Sequence, residues 1–348
     1  MSKVAIYGTG IFGKLFLDTL DGDIDCFIDD FNNAKSYENR PIKQLKSLSK
    51  DIKIYISPLQ YSSKIEMHLI EKGFTNIINF TNAIKTLPNI LELISQTDYL
   101  WLISDKQRMV NEEKLKQFES LLTDTKSKEI LKKIINLRKS LNPKFYIEPT
   151  GTEYFPDDIP ILKNLDTINF IDCGAYTGDT IEELCNSSKP INSTISFEPD
   201  HKNLLKLEDT LSRLQSQHPK TQFFLYPAGV YSHNCVLNFA NNGIDSSAAI
   251  NENATTQIPV VSLDSVILNS NPNFIKMDIE GAEKEALLGA KKTIQKHKPN
   301  LAICLYHKPE DLWELPLLIQ DIEPSYDMYI RVHEDMCLST VLYCISRS

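Results

Sequence analysis

Phe170-Ile171-Asp172-Cys173-Gly174-Ala175-Tyr176-Thr177-Gly178-Asp179-Thr180 is the stretch that decides the fold. An apolar strand runs into a loop with two glycines, and Ile181-Glu182-Glu183-Leu184 then reads as the first turn of a helix. Strand, tight turn and helix N-terminus together cradle a small polar ligand. Gly174 and Gly178 let the backbone approach it closely, because no Cβ intervenes. A loop built for pyrophosphate presents bare backbone N–H groups and often a lysine. This loop carries Asp172 and Asp179 and no lysine. Acids suit a cationic amine or sugar hydroxyls better than phosphate.

Four further apolar runs follow. Ile195-Ser196-Phe197-Glu198-Pro199-Asp200 places an acid 24 residues after Gly174. In a doubly wound sheet an acid at that point accepts hydrogen bonds from ribose hydroxyls. Phe223 to Val230 ends in the small residues Ala228 and Gly229, a fitting wall for a flat adenine ring. Phe274-Ile275-Lys276-Met277-Asp278-Ile279-Glu280-Gly281 ends in acids, and Leu301 to His307 ends in a histidine. Each run breaks into polar or small residues at its carboxyl end, where open α/β sheets bind ligands. The pattern points to S-adenosylmethionine (SAM), which has an amino-acid tail, a ribose and a sulfonium charge. Candidate cofactor-binding residues are Asp172, Gly174, Tyr176, Gly178, Asp179 and Thr180 of the loop, then Glu198, Asp200, Ala228, Gly229 and Asp278.

The order and wording of these pieces resemble the FkbM-type SAM-dependent methyltransferases. The matching stretches are FIDCGAYTGDT, SFEPD, PVVSLDSV, FIKMDIEGAE and CLYHKPEDLWELP, and the resemblance runs from about residue 153 to 348. It implies a class I, Rossmann-like methyltransferase sheet. It also implies methylation of a hydroxyl, commonly on a sugar or natural product, without fixing the acceptor. Tyr154 and Phe155 form an aromatic pair that lies close to the cofactor in that family; they equally suit capping of the core.

The chain has 348 residues, too long for one small core. We expect a small Rossmann-like domain at 1–84, a helical connecting region at 85–150 and the methyltransferase domain at 151–348. In the first, Val4 to Tyr7 leads into Gly8-Thr9-Gly10-Ile11-Phe12-Gly13, a complete G-x-G-x-x-G. Asp29 follows 21 residues after Gly8, at the end of a second strand, the context of a dinucleotide fingerprint. The module has only about half the length of a full dinucleotide fold, so a structural or substrate-presenting role competes with nucleotide binding. It resembles the small domains attached to sugar-modifying enzymes. In the connecting region, Leu115, Phe118 and Leu122, then Ile130, Ile134 and Leu137, recur at helical spacing. Leu100 to Ile103 suit packing on the second domain or on a partner, including a second copy in a homodimer.

A net charge of −9 argues against general nucleic-acid binding, and no apolar run is long enough to span a membrane. The N-terminus lacks the shape of a signal peptide. Seven scattered cysteines without a CxxC pair read as reduced thiols, consistent with a cytoplasmic protein. Abundant Lys, Asn and Ile suggest an AT-rich, bacterial genome.

Transfer of a methyl group to a hydroxyl needs positioning and one proton acceptor. His307 is the first candidate, since it ends the fifth run with an ordinary pKa suited to the task; it also suits a helix-capping or core position. Asp278 and Glu280 are next; in an extended segment they face the same side. They would orient the acceptor, act as base or, with His307, hold a divalent metal. Their spacing is not diagnostic of a metal, and a metal-free base is favoured. Glu280 equally suits capping of a helix that begins at Gly281. Arg331 and His333 would suit a sugar or an anion if they face the acceptor. The polar loop 241–247, with Ser246, suits a cover over the cofactor. The competing classes are an NAD-dependent oxidoreductase using Gly8, Gly10 and Gly13, and a non-enzymatic nucleotide- or sugar-binding scaffold.

Overall fold

Val4-Ala5-Ile6-Tyr7 forms the first strand, and three of its four side chains are buried. The computed structural model describes residues 3–59, 61–241, 248–250, 256–268 and 270–347. They fall into two compact units. The first holds Met1–Val110, Lys132–Pro149 and Glu334–Leu338; the second holds Asn111–Leu131, Thr150–His333 and Ser339–Ser348.

In the first unit, β1 (Val4–Tyr7) feeds α1 (Ile11–Thr19) and β2 (Cys26–Ile28). A hairpin of β3 (Ser36–Tyr37) and β4 (Arg40–Pro41) follows. Then come β5 (Lys53–Ile56), α2 (Ser62–Glu71) and β6 (Ile77–Ile78). The parallel sheet runs β2-β1-β5-β6. Next are α3 (Phe80–Thr86), whose Asn79 cap accepts from the Asn82 N–H, and α4 (Ile90–Ser95). Trp101 and Leu102 are buried inside this unit, and Trp101 Nε1 donates to the Met336 carbonyl at 2.6 Å. Within the apolar run at 100–103, Trp101 thus has a partner in its own unit.

Helices α5 (Glu112–Leu121) and α6 (Thr125–Ser140) follow, and the boundary between units crosses α6. Arg331 shows why Asn111–Leu131 goes with the second unit. Its buried guanidinium lies 2.7 Å from Asp124 and 2.9 Å from Asp158, and it donates to the Ser127 hydroxyl. His333 Nε2 is 2.7 Å from the Tyr343 hydroxyl. Both side chains are committed to internal partners, so the sequence reading of them as acceptor contacts gains no support.

The second unit continues with β7 (Ile168–Cys173), α7 (Asp179–Cys185), β8 (Ile191–Phe197), α8 (His201–Gln217) and β9 (Gln222–Tyr226). Then come β10 (Gly229–Val230), β11 (Cys235–Asn241), β12 (Ala248–Ile250), β13 (Thr256–Val261) and α9 (Leu263–Val266). β14 (Phe274–Met277), α10 (Glu283–Gly289), α11 (Lys291–His297), β15 (Asn300–Cys304) and α12 (Asp311–Ile322) lead to β16 (Tyr326–Val332) and β17 (Thr340–Ser346).

Seven of these strands form a sheet in the order β16-β17-β15-β14-β7-β8-β9. The five strands from β15 to β9 are parallel, and β16 and β17 run antiparallel at one side. The first strand, β7, lies between β8 and β14, so the order reverses there. That reversal opens a crevice at the carboxyl ends of β7 and β14. Phe170 and Phe274 stack beneath it with ring centroids 4.9 Å apart. β10, β13, β11 and β12 make a second, four-stranded sheet. Six of the seven cysteines are buried and none is in a disulfide.

Candidate functional site

Backbone contact defines the crevice. Gly174 follows β7 with φ +81°, and a Cβ there would stand 1.9 Å from the Asp278 carbonyl oxygen. Only glycine lets the ends of β7 and β14 approach this closely. Positive φ values gather here: Tyr176 at 48° and Glu280 at 55°, beside Gly178 and Gly281. Non-glycine residues in this region carry strain of about 1–2 kcal/mol each, which tends to collect at functional sites.

On one flank, Glu198 follows β8 and is buried. Its two oxygens accept from the N–H groups of Tyr176 at 2.9 Å and Asp200 at 2.8 Å. Burial pushes its carboxyl up to about 7, against the pull of those two N–H groups. Asp200 caps α8 by accepting from Lys202 and Asn203. A Cβ on Gly229 would lie 3.8 Å from Pro199, so 228–229 borders this flank. Asp179 opens α7, is exposed, and accepts from the Thr180 N–H at 3.0 Å. The fold thus brings Gly174, Tyr176, Glu198, Asp200 and Gly229 together. Ser246 lies outside the described residues.

Lys276, which the sequence reading passed over, sits under the loop. Its Nζ donates to the Gly174 carbonyl at 2.7 Å, lies 3.1 Å from Asp172 Oδ1 and rests 5.0 Å over the Tyr154 ring. With Nζ aimed at the carbonyl, the Asp172 contact is an ion pair without hydrogen-bond alignment. The two partners respond unequally. Burial pushes Asp172 up to about 6 in spite of the ammonium. At Lys276 burial is outweighed by Asp172, Asp278 and Asp179, which hold the ammonium charged. Asp172 is therefore already neutralised from below. A lysine within the apolar run Phe274 to Met277 was the signal for it.

On the other flank, three elements converge on His307. Its Nε2 lies 3.3 Å from Asp278 Oδ1 and 3.7 Å from Glu280 Oε2, and its Nδ1 lies 3.0 Å from Glu283 Oε1. Asp278 also accepts from the Tyr154 hydroxyl at 2.8 Å and the Tyr306 hydroxyl at 3.2 Å. Neither ring nitrogen of His307 is aligned for a hydrogen bond, so the carboxylates act on it through charge. Burial alone would lower its pKa; the charge of Glu283, then of Asp278, holds it well above the usual range. Burial likewise disfavours ionised Asp278, but His307 and Lys276 keep that carboxyl well below its ordinary value. Burial pushes Glu280 up to about 7, with His307 opposing.

The segment 278–281 is not extended, since Glu280 and Gly281 both have positive φ. Helix α10 begins at Glu283 rather than at Gly281. The role foreseen for Glu280, support of the helix start, falls to Glu283, whose Oε1 accepts from the Ile279 N–H at 2.9 Å. Sequence reasoning missed Glu283; an acid inside an otherwise buried helix start was its signal. Among the described residues, two groups bring ligand atoms within 4.8 Å of one another, as a metal ion needs: Asp278, Glu283 and His307, and Glu153, Asp278 and Cys304.

The glycine loop of the first unit has a different character. Both Asp29 oxygens are occupied: Oδ2 by the Thr9 N–H and hydroxyl, Oδ1 by the N–H groups of Phe31 and Asn32. The acid expected to meet a ribose is consumed by its own chain.

The sheet order and the crevice define a class I, Rossmann-like methyltransferase fold. Residues 172–331 match the family described as Methyltransferase FkbM domain, and this part of the chain belongs to it; it is a methyltransferase domain. A solved Methyltransferase FkbM from Methylobacillus flagellatus KT is similar over 99% of this chain and 90% of that one, with 23% identity and a TM-score of 0.67, a likeness of fold. A precorrin-6y C5,15-methyltransferase from Geobacter metallireducens GS-15 covers 53% of this chain and 83% of its own, at 11% identity and a TM-score of 0.35. An rRNA methylase from Streptococcus thermophilus covers 52% and 87%, at 12% identity and a TM-score of 0.33. No curated protein matches the sequence. Among the described residues no helix is long and apolar enough to cross a membrane.

Proposed function

We propose that the chain is a SAM-dependent O-methyltransferase acting on a hydroxyl of a sugar or glycan precursor, of capsule or lipopolysaccharide type, in the bacterial cytoplasm. The observation that carries this reading is the acidic, glycine-lined crevice at the reversal between β7 and β14. Its donor set fits SAM. Glu198, buried and held by two N–H groups, offers an acceptor for ribose hydroxyls. Gly174 and Gly178 keep the loop open, and Ala228 and Gly229 offer a wall for the adenine. Tyr154, Asp179 and Asp278 stand ready for the amino-acid end. When bound, SAM supplies an electrophilic methyl group.

The chain's own residues then place the acceptor hydroxyl and take its proton. His307, Asp278 and Glu280 form the proposed catalytic set. Glu283 and Asp278 hold His307 well above its usual range, which favours the charged imidazole. At neutral pH proton acceptance passes to Glu280, whose carboxyl titrates near 7. The charged imidazole then holds Asp278 and Glu280 in place. This scheme needs no metal.

The NAD-dependent alternative has less behind it, because Asp29 is already saturated. The test is SAM titration of the full chain, followed by measurement of demethylated cofactor released with a panel of sugars and nucleotide sugars. Absence of SAM binding overturns the proposal, as does SAM binding with methyl transfer only to non-hydroxyl acceptors.

A further inference from the structure

We propose that the first unit carries a binding site for a nucleoside diphosphate, in the cavity walled by Lys35, Lys43, Lys46, Lys50 and Lys72. The cavity measures about 640 Å³, within the range of small-molecule sites. None of its lining residues belongs to the crevice of the second unit, so the proposal stands apart from the SAM reading.

Charge is the first argument. The chain is acidic, with a formal net charge of −9, yet five lysines line this cavity against two aspartates, Asp29 and Asp30. Among the described residues none of the five pairs with a carboxylate, although Lys50 Nζ rests over the Phe74 ring at 4.1 Å. Both aspartates are already engaged, Asp29 by Thr9, Phe31 and Asn32, and Asp30 by the Tyr7 hydroxyl. Exposed ammonium groups around one cavity attract a polyanion.

The rest of the wall says what the anion is attached to. Ile42 and Leu45 are half-buried and apolar, a surface for a flat base, whereas inorganic phosphate has no use for them. Asn33 and Gln44 offer amide edges for a base or ribose.

The glycine loop supplies an independent sign. Gly8 and Gly13 are demanded by packing: a Cβ would stand 2.7 Å from Ser57 Oγ at the first and 2.3 Å from the Gly8 carbonyl oxygen at the second. Gly10 is not. Its φ is −81°, and a Cβ there would meet nothing within 4 Å. The fold does not need glycine at position 10, but close approach of a pyrophosphate does. Thr9, next to it, accepts from Asn32 Nδ2 at 2.8 Å, which ties the loop to the cavity wall.

The experiment is calorimetric titration of the full chain with UDP, ADP, inorganic pyrophosphate and inorganic phosphate. UDP or ADP is expected to bind at least about tenfold more tightly than pyrophosphate and to weaken as salt rises. The double variant Lys43→Glu, Lys46→Glu is expected to lose about tenfold or more in nucleotide affinity while its SAM titration and melting curve stay as in the parent. Failure of both nucleotides to bind the parent overturns the proposal. So does nucleotide affinity that the double variant leaves unchanged. Pyrophosphate binding as tightly as UDP and ADP overturns the nucleoside part. If the double variant does not fold, Lys72→Ala and Gly10→Val serve instead. The same loss is expected of them, and its absence overturns the proposal in the same way.

Discussion

Glu283 Oε1 stands 3.0 Å from His307 Nδ1, and both side chains are withdrawn from solvent. The pair makes His307 a charged strut between β15 and α10. Its pKa is raised above the unfolded value. Its contribution to stability is therefore complete below about pH 6.5, the unfolded value, and is lost as pH rises through the raised folded value. Glu283→Gln removes the nearest negative charge. We expect it to cost about 3–5 kcal/mol at pH 6, as breaking a buried pair does, and less at alkaline pH. Urea melts of parent and variant at pH 6 and at pH 10 check this. An equal loss at both pH values is the wrong outcome for a charged His307.

The same arrangement predicts how turnover responds to pH. If ionised Glu280 takes the proton, kcat rises through a limb near pH 7 and is lower below it. Glu280→Gln should lower kcat by about 10²–10⁴ with little change in SAM affinity. His307→Ala removes the cation that favours ionised Glu280, so the limb should move to higher pH. Were His307 itself the acceptor, the parent limb would lie well above the usual histidine range and vanish in His307→Ala. Activity should survive a chelator. Its loss, restored by Mg²⁺ or Mn²⁺, would assign the cluster of Asp278, Glu283 and His307 to a metal instead.

Glu198 couples SAM binding to pH in a defined direction. Its carboxyl titrates near 7 because it is buried. In the absence of ligand this costs the fold stability above the ordinary value of 4.5, and the cost grows until about pH 7. The ionised form is the better acceptor for ribose hydroxyls. SAM affinity should therefore fall as pH drops below 7, approaching about tenfold per pH unit. Glu198→Gln should weaken binding by roughly 1.5–3 kcal/mol at pH 8 and flatten the pH dependence. Calorimetry at pH 6 and pH 8 on both proteins decides it, and a parent curve that is already flat removes Glu198 from the ribose.

The strand-loop-helix of β7 and α7 was legible because an apolar run, two glycines and a helix start are all local signals. The ends of β8, β14 and β15 were legible for the same reason, and with them Glu198, Asp278 and His307. What was not legible depends on partners remote in sequence. Lys276 is a single charge in an apolar strand until the pairing of β14 with β7 sets it beneath Gly174. Glu283 reads as one of several acids until the left-handed turn at Glu280 and Gly281 delays the helix and turns that side chain inward. The occupation of Asp29 by Thr9, Phe31 and Asn32 is likewise a matter of loop conformation, which the spacing of glycines and acid does not encode. Arg331 suited an anion only if it faced the acceptor, and Asp124 and Asp158, which hold it instead, lie in segments distant from it in the chain.

Lys276 gives the last prediction. Its ammonium is enclosed by Asp172, the Gly174 carbonyl and the Tyr154 ring, with Asp278 and Asp179 adding charge. Lys276→Met keeps the length of the side chain and removes its charge. Asp172, already pushed up to about 6 by burial with the lysine present, then has no compensating cation. We expect a loss of about 3–5 kcal/mol at pH 8 and a smaller loss at pH 5, where Asp172 takes up a proton. Adding Asp172→Asn removes the stranded carboxylate, so the double variant should regain much of that stability. It should nonetheless bind SAM poorly, because the Gly174 carbonyl has lost its donor and the loop its anchor. Denaturant melts of the two single variants and the double variant complete the cycle. Additive losses would mean that the two charges do not interact, and that something other than Lys276 holds the loop.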